Sequence, residues 1–378
     1  MKCSRCQNED NNYFYLGSKG IYCRKCITFK RQLLMEDNNE VILDEISENI
    51  SDYTLSYDLT KLQKDISKKC AETIKNQDVL IHCVCGAGKT EIVLESISNA
   101  LKSKQKVCFA ISRRQVVLEI KARLEKIFKE AKVIAVCQGY TKILDGDLIV
   151  CTTHQLYRYP NSFDLLIIDE PDAFPYKGNE VLQGIALNSC KGHIIYSTAT
   201  IDKDLKKKVN DNTVKHLMLN RRPHGYDLPV PKVVTSFKLY LFYKLIKFIK
   251  SHQEKIIVFL PSKKLCEKYC HLFNYIFSCC YITSESIDKD LIISEFRKDK
   301  YKVLFATSIL ERGITIEGVL VVVMYCEHLV YDEASIIQML GRVGRSFKCP
   351  YGDTLLLNNK KNLTTINVIK SLKEANGH

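Results

Sequence analysis

The chain contains no tryptophan, so any ring with a stacking or wedging task must come from its 15 phenylalanines or 20 tyrosines. It also lacks a long apolar run. The longest, Val319 to Met324 with its neighbours, falls well short of the ~20 residues that a membrane-spanning helix needs. No succession of basic, apolar and small residues opens the chain, which would mark a targeting segment, and a cytosolic protein is expected. Acid is the minority charge: 43 Asp and Glu against 56 Lys and Arg leave a formal net charge of +13. Such a surplus draws in polyanions, nucleic acid among them, although a lysine-rich composition can equally follow the base usage of a genome.

What is present suits a globular protein. Of the 378 residues, 46% are hydrophobic, and a chain of this length is expected to divide into two or three domains. Seventeen cysteines without a secretory signal imply a reducing compartment, and most (Cys83, Cys108, Cys151, Cys326) fall inside apolar runs as small hydrophobes. Four stand apart. Cys3-x-x-Cys6 and Cys23-x-x-Cys26 have the spacing at which two thiolate knuckles close a tetrahedral zinc site. A segment of about thirty residues cannot bury enough apolar surface to fold unaided, so zinc would supply its folding free energy. Around the knuckles lie Tyr13, Phe14, Tyr15, Tyr22 and Phe29 with Arg5, Lys19, Arg24, Lys25, Lys30 and Arg31. These either hold phosphates and stack bases or form the core of a purely structural zinc ribbon. From Glu36 to Asp52 there is no Lys or Arg but seven acids, the mark of a solvated linker or peripheral helix.

The most informative stretch is Cys83-Val84-Cys85-Gly86-Ala87-Gly88-Lys89-Thr90. It follows the apolar Val79-Leu80-Ile81 and opens into a helical pattern from Glu91 to Leu101. A loop of small residues between strand and helix turns backbone N–H groups toward an anion. Lys89 would reach the β- and γ-phosphates and Thr90 would ligate Mg²⁺. Cys83 stands where the full phosphate-loop pattern has glycine, and a small residue fits there. Around this loop, strand-like runs near 79–84, 106–111, 132–137, 147–151, 164–168 and 193–197 alternate with helical patterns, the order of a parallel sheet covered by helices. The run 163–168 ends in Asp169-Glu170-Pro171-Asp172, which places Asp169 to hold Mg²⁺ and Glu170 to polarise an attacking water.

After Arg221-Arg222-Pro223 the pattern restarts. Pro223 to Pro231 reads as a connection, and a second α/β series follows, with helices near 236–250, 262–274, 287–297 and 332–340 and strands near 256–259, 277–282, 302–306, 319–325 and 353–358. It has no phosphate loop of its own. Such a layer is explained if it closes over a nucleotide held by the first, with Arg342 and Arg345 approaching the γ-phosphate.

Gly86-Ala87-Gly88-Lys89-Thr90, Asp169-Glu170-Pro171-Asp172, Ser197-Thr198-Ala199-Thr200, Ala306-Thr307 and Gln338-x-x-Gly341-Arg342-x-x-Arg345 resemble motifs I, II, III, V and VI of superfamily 2 helicases. Together with the four-cysteine start, the chain more closely resembles the late competence family ComFA, over nearly its whole length. That resemblance implies an α/β fold of two tandem RecA-like parallel-sheet domains preceded by a small four-Cys zinc module. The boundaries would be 1–32 for the module, 33–56 for an acidic linker, 57–222 for the ATP-binding domain and 223–378 for the C-terminal domain. It implies a DNA-dependent ATPase that draws single-stranded DNA, cytosolic or peripheral at the inner face of the membrane, with a membrane DNA-uptake channel and other competence proteins as partners. Cofactors would be ATP, Mg²⁺ and Zn²⁺. Gln63 would recognise adenine; Cys85, Gly86, Ala87, Gly88, Lys89, Thr90 and Glu91 would cradle the phosphates; and Gln338 would join Lys89, Asp169, Glu170, Arg342 and Arg345 in catalysis. Ser197 to Thr200 would couple the nucleotide to the strand, which Arg113 (or Arg114), Thr153, Thr307 and Gly313 would contact. Thr315 stands where many relatives carry an acid. Alternatives are an RNA or replication-fork enzyme of the same class, or a non-enzymatic zinc-containing adaptor.

Overall fold

The computed structural model describes residues 1–29, 41–46, 50, 52–310 and 316–377. Much of the acidic stretch, including Glu36, Asp37, Glu40 and Glu48, lies outside the described residues, as do Gly313 and Thr315. The chain separates into two compact units: Met1–Cys83 with Gly88–Leu219, and Val84–Ala87 with Asn220–His378.

The first unit begins with a hairpin, β1 (Phe14–Gly17) and β2 (Gly20–Cys23), paired antiparallel with Phe14 opposite Cys23. Then follow α1 (Lys61–Thr73), β3 (Asp78–Cys83), α2 (Lys89–Ile92), α3 (Leu94–Lys102), β4 (Val107–Ile111), α4 (Arg114–Ile127), β5 (Val133–Val136), β6 (Leu148–Thr152), β7 (Phe163–Asp169), α5 (Glu180–Ser189), β8 (Cys190–Thr198), α6 (Lys203–Asn210) and β9 (Val214–Leu219). Seven strands form one parallel sheet in the order β5-β6-β4-β7-β8-β3-β9. β4 is buried at every position, as expected of a strand covered on both faces, where an unbroken run of apolar residues replaces alternation. Thr60 starts α1 with a capping box, its hydroxyl accepting from Gln63 N while the Gln63 side chain accepts from Thr60 N, so two otherwise orphaned N–H groups are satisfied together.

The four-cysteine module packs on this unit. Cys3, Cys6, Cys23 and Cys26 share one buried cluster with Leu182, Ile185 and Ala186 of α5. Contact there is backbone-close, since a Cβ on Gly184 would lie 2.0 Å from the carbonyl oxygen of Cys6. Around it, Gln7 Nε2 donates to Asn188 Oδ1 (2.6 Å), Lys25 pairs with Glu180 (2.6 Å), and the Phe29 ring lies 5.6 Å from that of Tyr157.

The second unit comprises β10 (Lys232–Thr235), α7 (Lys238–Ser251), β11 (Lys255–Phe259), α8 (Lys263–Phe273), β12 (Cys279–Ile282), α9 (Lys289–Arg297), β13 (Val303–Ala306), β14 (Val319–Met324), α10 (Glu333–Leu340), β15 (Thr354–Asn358) and α11 (Leu363–Asn376). Its six strands are also all parallel, in the order β10-β15-β14-β11-β13-β12. The sequence-predicted connection 223–231 is tied to α11, where Leu228 N donates to Asn376 Oδ1 (2.8 Å) and Asn376 Nδ2 donates to the Leu228 carbonyl (3.0 Å).

Candidate functional site

In a parallel sheet all strands end on one side, and ligands settle outside those carboxyl ends. β3 ends at Cys83, and the loop beyond it turns twice through left-handed glycines, Gly86 (φ 84°) and Gly88 (φ 86°), before α2 starts at Lys89. Only glycine takes these angles without strain. A Cβ on Gly88 would in addition meet Gln63 Nε2 at 2.5 Å. Gln63 is 4% exposed, its Oε1 accepting from Thr60 N (3.0 Å) and Thr60 Oγ1 (3.1 Å) while its amide nitrogen faces Gly88. The helical path runs on from α2 through Val93 into α3. Lys89 and Thr90 stand half-buried at its start. The Glu91 carboxylate instead accepts from Tyr57 Oη (2.6 Å) and from Arg123, and burial together with that carboxylate pushes the Tyr57 pKa up.

β7 is the central strand, and its last residue, Asp169, is in register with Ile111 on β4 and Ser197 on β8. Glu170 follows with φ 56°, its N–H donating to the Ser197 carbonyl (2.8 Å). A left-handed conformation at a residue with a side chain costs on the order of 1 kcal/mol, and such strain clusters at functional sites. Asp172 is 4% exposed and accepts from Thr198 Oγ1 and Thr200 Oγ1, each at 2.5 Å. Between those threonines, the Ala199 carbonyl is hydrogen-bonded to His82 Nε2 (3.2 Å). Burial lowers the His82 pKa, which keeps the ring neutral, with Nε2 carrying the proton. A continuous hydrogen-bonded path therefore runs from β3, one residue before Cys83, through Ser197–Thr200 to the acidic segment. The sequence pattern found the threonines and the acids but gave no signal for His82.

On the same side, Arg113 stands at the start of α4 after β4, without a side-chain capping bond, and Thr153 opens a 3-10 turn after β6. Thr153 is fully buried, and His154 is the exposed residue beside it. Arg114 is engaged locally, its Nε donating to the Gln138 carbonyl (2.8 Å) and its guanidinium lying over Tyr140.

In the second unit, Thr307 follows β13, and Gln338, 2% exposed, lies on α10. Gly341 ends that helix, Arg342 is buried, and Arg345 Nε donates back to the Gly341 carbonyl (2.9 Å). Arg222, at the edge of the sequence-predicted connection, is 3% exposed and organises this loop. Its guanidinium donates to the carbonyls of Val343 (2.6 Å), Gly344 (2.8 Å) and Gly341 (3.1 Å), and its Nε to that of Cys85 (2.8 Å), a residue counted in this unit. Cys85 Sγ also donates to Gln338 Oε1 (3.2 Å).

The four thiols of Cys3, Cys6, Cys23 and Cys26 are buried and lie within 4.8 Å of one another. Cys3 and Cys26 are 3.8 Å apart, Cys6 and Cys23 3.9 Å. A tetrahedron of thiolates at ~2.3 Å from a metal has edges of about 3.8 Å, so donor set and spacing fit a four-coordinate thiophilic ion. Hydrogen bonds from Cys26 and Cys6 hold the Cys3 thiol far below its ordinary pKa, while the same contact pushes Cys26 up.

Residues 56–203 match the family model described as "Type III restriction enzyme, res subunit", and residues 238–347 match "Helicase conserved C-terminal domain". Among solved structures, the fold is similar to Dbp5 of S. cerevisiae bound to RNA and ADP BeF3 (TM-score 0.66, 16% identity, covering 84% of this chain and 88% of that one). It is also similar to RecG bound to a three-way DNA junction (TM-score 0.59, 18% identity, 85% of this chain and 47% of that one). The two parallel-sheet units are thus RecA-like. Over 99% of its length the chain is 33% identical to "Competence protein ComFA" of Streptococcus pneumoniae strain R6, covering 90% of that protein. It is 31% identical to the protein of the same name in Bacillus subtilis strain 168, again over 99% of this chain and covering 85% of the relative. The chain belongs to the ComFA competence protein family and is a helicase-type ATPase of superfamily 2.

Proposed function

We propose that this protein hydrolyses ATP to move along single-stranded DNA, and that the movement drives uptake of transforming DNA in competent bacteria. The observation that carries the reading is the hydrogen-bonded path His82–Ala199 and Thr198/Thr200–Asp172, which ties the phosphate-loop strand and the acidic segment to one element. Gly86 to Thr90 receive the phosphates and Lys89 neutralises the β- and γ-oxygens. Glu170 orients the water that attacks the γ-phosphorus as the bond to ADP breaks, and Arg342 and Arg345 are assigned to the charge that develops on the γ-phosphoryl group. Mg²⁺, held by Thr90 and Asp169, supplies further charge neutralisation when bound. Gln63 recognises adenine, Cys85 and Glu91 complete the phosphate cradle, and Gln338 joins Arg342 and Arg345 in catalysis. Arg113, Thr153, Thr307 and Gly313 belong to the strand path, whose contacts with the sugar-phosphate backbone carry no base sequence. Zinc in the four-cysteine cluster fixes the N-terminal module.

The relationship to proteins named for competence supports the competence role, and a membrane DNA-uptake channel is the destination we assign to the strand. No helix among the described residues is long and apolar enough to cross a membrane. ATPase assays with single-stranded DNA, duplex DNA and RNA test the assignment. Single-stranded DNA should stimulate most, and Lys89→Ala should abolish turnover while strand binding persists. Equal or greater stimulation by RNA would overturn the DNA assignment, and normal turnover of Lys89→Ala would overturn the catalytic one.

A further inference from the structure

Just past the catalytic acids, one large ring has no place in the packing. Pro171, Asp172, Ala173 and Tyr176 are all buried, whereas Phe174 between them is 88% exposed. The ring is not at the tip of a loose loop. Ala173 N donates to the Glu170 carbonyl (3.0 Å), and the N–H groups of Tyr176 (3.0 Å) and Lys177 (2.9 Å) both donate to the Ala173 carbonyl. On one flank Asp172 is gripped by Thr198 and Thr200. On the other Tyr176, 5% exposed, shares a buried cluster with Leu205 of α6. Phe174 is therefore presented from a fixed turn at the carboxyl end of the central strand, on the side of the sheet where β4, β6 and β8 lead into Arg113, Thr153 and Thr200. The α6 helix that supports Tyr176 exposes Lys203, Lys206 and Lys207. An exposed ring, with exposed cations on an element packed into the same cluster, is the combination that holds a single strand without regard to sequence, because every base offers a face to stack on and the backbone offers phosphates.

We propose that Phe174 stacks on a base of the bound strand, and that its turn transmits strand occupancy to Glu170 through Asp172 and the Thr198–Thr200 element. This rests on the proposed function and adds the base contact that the chain, lacking tryptophan, must take from another ring. Other exposed rings, such as Phe237 and Tyr243 at the start of α7, have no such link to the acids.

The absence of tryptophan gives the test its probe. In Phe174→Trp the introduced indole is the sole one, and titration with oligo-dT should quench its emission to saturation. Phe174→Ala should weaken oligo-dT binding by about tenfold, the size of one stacked base. It should also reduce the strand-dependent rise in kcat with little change in KM for ATP. Phe174→Trp should restore both. Because the ring buries little of its surface, Phe174→Ala should keep the wild-type thermal midpoint, which separates lost binding from lost folding. An unquenched indole, or strand binding by Phe174→Ala equal to wild type, overturns the inference and leaves the proposed function standing. A wild type that no nucleic acid stimulates brings down both.

Discussion

Arg222 shows how much a single side chain can do away from any recognisable motif. Its guanidinium is buried against backbone carbonyls of Gly341, Val343 and Gly344, with no carboxylate partner among the described residues. Burial, the largest influence, pulls its pKa down to about 10, so at neutral pH it remains charged, and each of its three nitrogens donates to a carbonyl. A carbonyl left buried without a donor costs about 1–3 kcal/mol. Arg222→Met, which orphans several at once, should lower the unfolding free energy by about 2–4 kcal/mol in urea titrations followed by circular dichroism. Arg222→Lys retains the charge but not the planar fork, and should fall between the two. An unchanged urea midpoint for the methionine variant would mean that the loop finds other donors. Nothing in one dimension reveals this residue, since its partners lie more than a hundred positions away, Cys85 upstream and Gly341, Val343 and Gly344 downstream. Asp169 and Glu170, by contrast, are legible because an apolar run stops abruptly at two acids, and a strand that stops there presents them at the sheet edge.

At the scale of elements, α5 is shaped as a seat for the four-cysteine module. Gly184 lets the Cys6 carbonyl approach to where a Cβ would stand, while Glu180 and Asn188, one turn to either side, receive Lys25 and Gln7. Gly184→Ala, which meets Cys6 at its backbone and leaves all four thiols in place, should therefore unseat the module. The expected result is retention of one zinc per chain together with faster proteolysis between residues 7 and 29. Zinc loss in that variant would show instead that docking and metal binding are a single event. The module's cysteines are legible from their spacing, but its seat is not, because a glycine in a helical pattern carries no record of what approaches it. The central strands are legible for the opposite reason. β4, β6, β7, β11 and β14 are buried on both faces, and their continuous apolar runs leave no other reading. Within the two parallel sheets, the strands that sequence reasoning missed are β9 and β10, at their edges; it missed the hairpin strands β1 and β2 of the cysteine module as well. β9 contains Lys215 and His216, and β10 directly follows the proline-bearing stretch 223–231. Edge strands are half-solvated and need no apolar run, so their hydrogen bonds to β3 and β15 decide them rather than their composition.

For the molecule as a whole, the surplus of 13 positive charges becomes functional only where lysines are free to face a polyanion. Several are not. Lys106 is buried beside Asp145 and Asp147, Lys25 is spent on Glu180, and Lys102 on Asp52. The Asp52 contact also shows that part of the acidic stretch is bound to the first unit rather than standing off in solvent. Lys203, Lys206 and Lys207 of α6, in contrast, are exposed on the helix that supports the Phe174 turn. Each phosphate neutralised on a single strand contributes about −0.7 to the slope of log affinity against log salt. If all three lysines meet phosphates, replacing them with glutamine should flatten that slope by about 2. The measurement is oligo-dT affinity from 50 to 300 mM salt, taken on wild type and the triple variant. Changing surface lysines on a helix capped by Asp202 should leave folding intact, so an unchanged slope would place the strand elsewhere on the sheet edge. A flattened slope with quenching retained in Phe174→Trp would assign phosphate and base contacts to neighbouring, separable groups.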